Sequence, residues 1–388
     1  MNIGFICNEL RPANVGGIGT FTVELIRGLN DSGHRVHVVS LDRQIPETSC
    51  EVVSPNLTIH RLRGGKGRLR GYLSRFNLFS VISKLAVQGQ IDIVEVPDFE
   101  GWCAGWPHLP IPVVVRLHGS VSFFAAEMRS AIPRSVQYLE RRAIQRADHI
   151  VSVSRYAADR SREVIGLRMS PTIVHNSVML PDPARVKTDF RSRDMVCYTG
   201  TLVAKKGVFS LAQAWPLVKE RRPNARLMMI GRDGRHEGRS AIDLIRELAG
   251  GHADSIEFTG YLPKAELENV LIAADVAVYP SYSEAFALAP MEAMALCVPT
   301  ICTNRASGPE LVRHNIDGLL CDPDKIQELG DMLATVLENE SLRYRLGQAG
   351  RRRIREDFSY AESLQTNIRF YQSCIAQSNQ SAQAATPN

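Results

Sequence analysis

Two glutamates, Glu284 and Glu292, sit eight positions apart in the stretch SEAFALAPMEAMALC. Only apolar residues and one proline lie between them. The preceding VAVYP, 276–280, reads as a buried strand, and Pro290 suits the first turn of a helix, where its missing N–H is no loss. Cys297 and Pro299 mark the end of that helix. A helix that starts at the carboxyl edge of a parallel sheet is an anion site, because its first N–H groups have no intrahelical acceptor. On this reading the amides between Phe286 and Met291 meet a phosphate, and apolar side chains suffice because the backbone does the binding. The flanking carboxylates would repel phosphate, but they accept hydrogen bonds from sugar or ribose hydroxyls. Taken alone, Glu292 reads equally well as a first-turn acid favoured by the helix dipole, and Glu284 as a surface loop charge.

Other residues of this kind lie elsewhere. Gly16 and Gly17, in NVGGIGTF, let a ligand approach the backbone just before a helix; the plain alternative is a tight turn. His118 ends a buried strand in VVVRLHGS, where a satisfied core histidine is the alternative. Lys206, in YTGTLVAKKGV, could neutralise charge growing on a leaving phosphate; neighbouring Lys205 shows that a solvated loop lysine is equally ordinary. Asp322-Pro323-Asp324 has the D-x-D form of a manganese site, but Asp324 with Gln327 reads as a capping box, so neither a metal nor a cofactor is expected. GIGTFT faintly resembles a dinucleotide loop, with Asp42 as the ribose acid. Its third glycine is Thr22, however, and the first strand ends about eight residues too early for that turn.

The elements that position these residues repeat as strand, loop, helix. Ile3–Cys7, Val36–Ser40, Ile91–Val96, Val113–Leu117, Ile150–Val153 and Thr172–His175 are apolar strands, and Phe21, Leu25, Ile26 and Leu29 fall at helical spacing. The pattern restarts at Met195–Thr199 and continues through Arg226–Ile230, Ser255–Phe258, Val276–Tyr279 and Thr300–Cys302. Near-continuous Val/Ile strands between helices mean parallel sheets covered on both faces. The expected fold is α/β, with two doubly wound Rossmann-like domains whose carboxyl edges face a cleft. The expected boundaries are 1–180, a polar linker at 181–194, 195–357, a C-terminal helix at 358–376 that packs back toward the first domain, and a disordered tail at 377–388.

Bulk properties narrow the class. The 388 residues carry a net charge of +5, and 44% are hydrophobic, as in a soluble globular protein. Residues 1–190 hold 23 Lys+Arg and 17 Asp+Glu, so +6; the remainder holds 23 and 24, so −1. Much of the excess falls in 60–84, with seven basic residues and no acid. With Phe76, Leu78 and Phe79 behind it, this segment could meet anionic lipid. No basic-aromatic interleaving extends along the chain, so nucleic acid is not an expected partner. The eight cysteines form no C-x-x-C and read as reduced thiols. Without a signal peptide or an apolar run of about 18 residues, a cytoplasmic protein is expected, peripheral at the inner membrane face if 60–84 binds lipid.

The segment 281–323, SYSEAFALAPMEAMALCVPTICTNRASGPELVRHNIDGLLCDP, resembles the donor-site signature of the retaining GT-B glycosyltransferases of family 4. The likeness runs from the glycine loop near residue 16 to the last helices. It implies transfer of a sugar from a UDP- or GDP-linked donor to a glycan, lipid-linked or polysaccharide-precursor acceptor. It also implies that Glu284 faces the donor sugar and His118 the reacting centre. By the same likeness Gly16, Gly17, Lys206, Phe286, Ala287 and Leu288 hold the diphosphate, Glu292 holds the ribose, and Gly231, Tyr261 and Leu262 border the base. Four positions depart from the family pattern: Thr201 stands where an arginine is usual, and Ala285, Ala287 and Cys297 where glycines are usual. Those departures leave a catalytically weakened partner subunit as the second reading, with a nicotinamide-dependent oxidoreductase third.

Overall fold

The computed structural model describes residues 1–10, 16–42, 45, 47–64 and 68–384, without the side chains of 68–70, 72 and 381–384. The chain forms two compact units: Met1–Asn176 with Ala361–Asn388, and Ser177–Tyr360. The first carries strands β1 (Asn2–Ile6), β2 (Arg35–Asp42), β3 (Ser49–Ser54), β4 (Leu57–Arg63), β5 (Ile93–Pro97), β6 (Val113–Leu117), β7 (His149–Ser152) and β8 (Thr172–Ile173). They form one sheet in the order β3-β4-β2-β1-β5-β6-β7-β8. All pairs are parallel except β3–β4, an antiparallel hairpin at the edge. Central strands are buried on both faces: all five residues of β6 are buried, as helix-covered parallel sheets require. Helix Gly17–Asp31 inserts Phe21, Leu25, Ile26 and Leu29 into this core.

The second unit carries β9 (Met195–Thr199), β10 (Arg226–Ile230), the two-residue strands β11 (Arg235–His236) and β12 (Arg239–Ser240), β13 (Ile256–Gly260), β14 (Val276–Tyr279), β15 (Thr300–Thr303) and β16 (Leu319–Cys321). Six of these form an all-parallel sheet in the order β13-β10-β9-β14-β15-β16. Winding proceeds outward in both directions from β9 and β14, so the crevice where ligands enter a doubly wound sheet lies between the loops that follow these two strands. Two doubly wound α/β units are what the strand-helix alternation called for.

Four local expectations are corrected. The stretch 181–194 is no linker but a packed part of the second unit. Phe190 is buried, its carbonyl accepts from Arg343 at 2.7 and 2.9 Å, and the Lys187 N–H donates to Leu296 at 2.9 Å. The last helix runs Tyr360–Ala384, beyond the expected end at 376 and through most of the supposed tail. Its apolar positions Leu364, Ile368, Tyr371 and Cys374 recur at helical spacing and are buried, so packing sustains a helix whose C-terminal end reads as polar. The helix after Asp324 begins at Ile326 without a side-chain cap. Asp322 and Asp324 instead bind Arg305 at 2.6 and 2.5 Å, so the D-x-D serves an ion pair rather than a capping box. The helix after Glu284 begins at Leu288, which keeps Pro290 in its first turn but places Glu292 in its fifth position, past that turn. In the basic segment 60–84, residues 65–67 and four flanking side chains lie outside the described residues; His60–Arg63 belongs to β4.

Candidate active site

In the second unit, Lys206 lies in the loop after β9 and Glu284 in the loop after β14. Lys206 Nζ donates to Glu284 Oε1 at the switch point of the sheet. The same Oε1 accepts from Ser281 Oγ at 3.1 Å, and the Glu284 carbonyl accepts from Ser307 Oγ at 3.1 Å. The two side chains keep 27% and 14% of their surface exposed, enough to be reached by a ligand. Burial lowers the pKa of neighbouring Lys205, while Glu284 raises it and Lys206 lowers it further. Thr201 is exposed, and its carbonyl accepts from Tyr198 Oη at 3.1 Å.

The backbone explains why these loops meet. Gly207 has φ +70°, and a Cβ there would lie 1.8 Å from the Pro280 carbonyl oxygen. The two loops thus approach closer than any side chain allows. The Tyr282 N–H donates to the Lys205 carbonyl at 2.8 Å. Tyr282 Oη bonds Ser210 Oγ and Asp324 Oδ1, each at 3.0 Å, and the Arg305 guanidinium lies over its ring. Sequence reasoning missed Ser281, Tyr282, Arg305 and Ser307, because only the fold brings their loops together.

Helix Leu288–Ala295 starts beside this pair with Ala287 as its extended N-cap residue and no capping side chain. The N–H groups of its first turn therefore have no partner in their own helix. Burial raises the Tyr279 pKa well above its ordinary value, with a smaller push from Glu292, and the Tyr279 hydroxyl meets Thr199 Oγ1 at 3.0 Å and ties the ends of β9 and β14 together. Ala287 has φ −77°, and Ala285 has no positive φ, so neither position needs glycine. Cys297 does sit at φ +63°, where glycine is at ease and other residues are strained. Gly231 follows β10 and Tyr261 follows β13, on the other side of Lys206. A Cβ at Gly231 would fall 1.9 Å from the Gly200 carbonyl oxygen; Tyr261 is 61% exposed and Leu262 half-buried.

In the first unit, His118 follows β6 and is buried, its ring edge-on to Phe21 with centroids 5.2 Å apart. Burial, with a smaller push from Arg116, lowers its pKa to about 3, so the imidazole is neutral at physiological pH. The His118 and Gly119 N–H groups donate to the two oxygens of Asp98 at 3.0 and 3.2 Å. Burial raises the Asp98 pKa to about 8, while these N–H donors pull it down. At Gly16 and Gly17 the sequence foresaw an open helix N-terminus. The structure puts the Glu9 carboxylate there: Oε2 accepts from Gly16 and Gly19 at 2.9 and 2.7 Å. Among the described residues, a Cβ on Gly17 would meet nothing within 4 Å. Residues 11–15, which complete the loop, lie outside the described residues.

Comparison with known proteins agrees with the architecture. The Glycosyltransferase Family 4 profile matches residues 15–180 and the Glycosyl transferases group 1 profile matches residues 184–353. A glycogen synthase of Mycobacterium tuberculosis is 25% identical over 93% of this chain and 92% of its own length. A GDP-mannose-dependent alpha-(1-6)-phosphatidylinositol monomannoside mannosyltransferase of the same organism is 28% identical over 61% of this chain and 66% of its own. Among solved structures, sucrose-phosphate synthase from Thermosynechococcus elongatus superposes with a TM-score of 0.80 at 20% identity, covering 97% of this chain and 99% of that one. With both profiles spanning most of the sequence, the chain belongs to the family 4 glycosyltransferases and is a nucleotide-sugar-dependent glycosyltransferase of GT-B fold.

Proposed function

We propose that this glycosyltransferase moves a hexosyl group, with retention of anomeric configuration, from a UDP- or GDP-sugar to a glycan or lipid-linked acceptor. The observation that carries the donor site is the Lys206–Glu284 pair at the switch point of the second sheet. On this reading the candidate residues of the second unit divide the donor's parts among them. Tyr261, Leu262 and Gly231 border the base, and Glu292 takes the ribose. Lys206 and the amides of Phe286, Ala287 and Leu288 take the diphosphate, and Glu284 takes the sugar hydroxyls. Relatives named for glycogen synthesis and for GDP-mannose-dependent transfer to a phosphatidylinositol mannoside support the substrate classes.

In the proposed reaction the acceptor oxygen bonds to the anomeric carbon on the face from which the phosphate oxygen leaves. The acceptor's proton passes to that phosphate oxygen. Charge builds on the departing diphosphate, where Lys206 and the helix amides stabilise it more than in the ground state. Lys205 supplies a second cation in place of the arginine that Thr201 replaces. Because these groups can carry the charge, we propose that turnover needs no divalent metal. Neutral His118, with Gly16 and Gly17, belongs to the reacting centre as a hydrogen-bonding group rather than a charged acid. Glu284 is not a nucleophile in this scheme, so Glu284→Gln should keep slow, retaining transfer; complete loss of transfer in a folded variant would argue for a covalent intermediate.

The test is a screen of activated sugars in EDTA after UDP, GDP, ADP and CMP have been ranked by thermal shift. One nucleoside diphosphate should raise the melting temperature by mass action, and NMR of the product should show retained configuration. An inverted product, or turnover that appears only when metal is added, would overturn the corresponding part of the proposal.

A further inference from the structure

Between Met128 and Ala147 there are five arginines and a single acid, Glu140. Glu140 is fully buried: it accepts from the N–H groups of Val121, Ser122 and Glu100 at 2.8, 2.9 and 3.1 Å. It therefore holds helix Arg134–Arg146 to the segment that follows His118, and its charge is spent inside. Outside, Arg134, Tyr138, Arg141 and Arg142 are exposed at i, i+4, i+7 and i+8, the spacing of one helical face. Tyr138 keeps 60% of its surface exposed. Arg129, just before this helix, is also exposed and takes φ +50° in a position that favours glycine. Arg146 pairs with Asp148, but Arg129, Arg134, Arg141 and Arg142 have neither an ion pair nor a hydrogen bond among the described residues.

We propose that this face binds an anionic saccharide chain, bearing carboxylate or phosphate groups, and so guides the acceptor toward the His118 segment; this rests on the reading of the first unit as the acceptor side. Guanidinium forks match carboxylate and phosphate oxygens in pairs. An exposed tyrosine offers an apolar face to the C–H face of a sugar ring and a hydroxyl to its rim. A membrane is the weaker fit. A helix that lies in a lipid interface inserts its apolar face; here that face, with Ala143 and Ile144, is already buried in the core of the first unit.

The test is binding of the full chain at low and high salt to four probes: an oligogalacturonate, neutral dextran, phosphatidylglycerol vesicles and oligouridylate. Oligogalacturonate should bind, dextran should not, and salt should weaken the complex because exposed charges are screened. Arg134→Gln/Arg141→Gln/Arg142→Gln should weaken it at least ~10-fold with an unchanged melting temperature. Tyr138→Ser should weaken it by a smaller factor with the same salt slope, which keeps the test decisive if the triple variant folds poorly. Wild-type affinity in both variants would overturn the proposal, as would binding to vesicles or oligouridylate but not to oligogalacturonate. Nucleoside diphosphate binding, measured on the same protein, separates the two readings: its absence counts against the donor site and leaves the arginine face standing.

Discussion

Glu284 holds Lys206 in this structure, although the proposed reaction assigns the lysine to phosphate and the glutamate to sugar hydroxyls. A donor must therefore draw Lys206 away from Glu284, or share it. Removing the carboxylate's charge relieves that competition. Glu284→Gln should thus bind the bare nucleoside diphosphate more tightly than wild type while turning over more slowly, a split that calorimetry and steady-state kinetics read directly. A lost charge-assisted hydrogen bond costs about 1.5–3 kcal/mol, so Lys206→Ala should weaken diphosphate binding by roughly 10- to 150-fold. His118 yields a pH prediction with a definite sign. Its folded pKa is depressed to about 3 by burial, so it gains no proton until well below neutrality. The pH profile of kcat/KM should show no limb from His118 between pH 5.5 and 8, and an acid limb near 6.5 that His118→Asn abolishes would refute the neutral assignment. A histidine depressed in this way favours the unfolded state as pH falls from its ordinary 6.5 toward 3, because only the unfolded chain then takes the proton.

At the scale of elements, much was legible because apolar strands and helical spacing impose periods that short segments cannot hide. Met195–Thr199 and Val276–Tyr279 were foreseen with the same bounds the structure gives. The hairpin β3–β4 was missed: its strands are edge elements with mostly exposed or half-buried residues, so no buried run announced them. The site was half legible. Glu284, Glu292 and Lys206 carried a spacing and a setting, whereas Tyr282 and Arg305 matter through contacts between loops that no single segment encodes. The Glu9 carboxylate at Gly16 was equally hidden, since donor and acceptor lie seven positions apart in the sequence. These loop contacts predict sensitivity away from the chemistry. Gly207→Ala puts a methyl group into the Pro280 carbonyl at a positive φ. It should cost more than ~2 kcal/mol of stability and weaken nucleotide binding by spreading Lys206 and Glu284 apart. Denaturant unfolding that matches wild type would show that the loops are free to shift.

On the scale of the whole chain, the first unit is completed by sequence from its far end. Arg116 is fully buried and pairs with both oxygens of Glu95 at 2.8 Å. Its Nη2 also reaches Asn367 Oδ1 at 2.6 Å and Tyr371 Oη at 3.2 Å, and Tyr371 Oη donates to Glu95 at 2.7 Å. A buried ion pair relies on further hydrogen bonds to offset its desolvation, and Arg116 Nη1 already lacks one among the described residues. Tyr371→Phe should therefore lower stability by about 1.5–3 kcal/mol in urea unfolding, and removal of 361–388 should leave the first unit unable to fold. Because Arg116 also lies over Phe21, whose ring meets His118, Tyr371→Phe should slow transfer more than it weakens nucleotide binding in the second unit. The most direct measurement of the donor site is calorimetric titration of UDP and GDP, in EDTA, into wild type, Lys206→Ala and Glu284→Gln. One diphosphate should bind wild type, bind Lys206→Ala at least ~10-fold more weakly, and bind Glu284→Gln more tightly. If neither diphosphate binds, or if all three proteins bind alike, the Lys206–Glu284 pair is not the donor site.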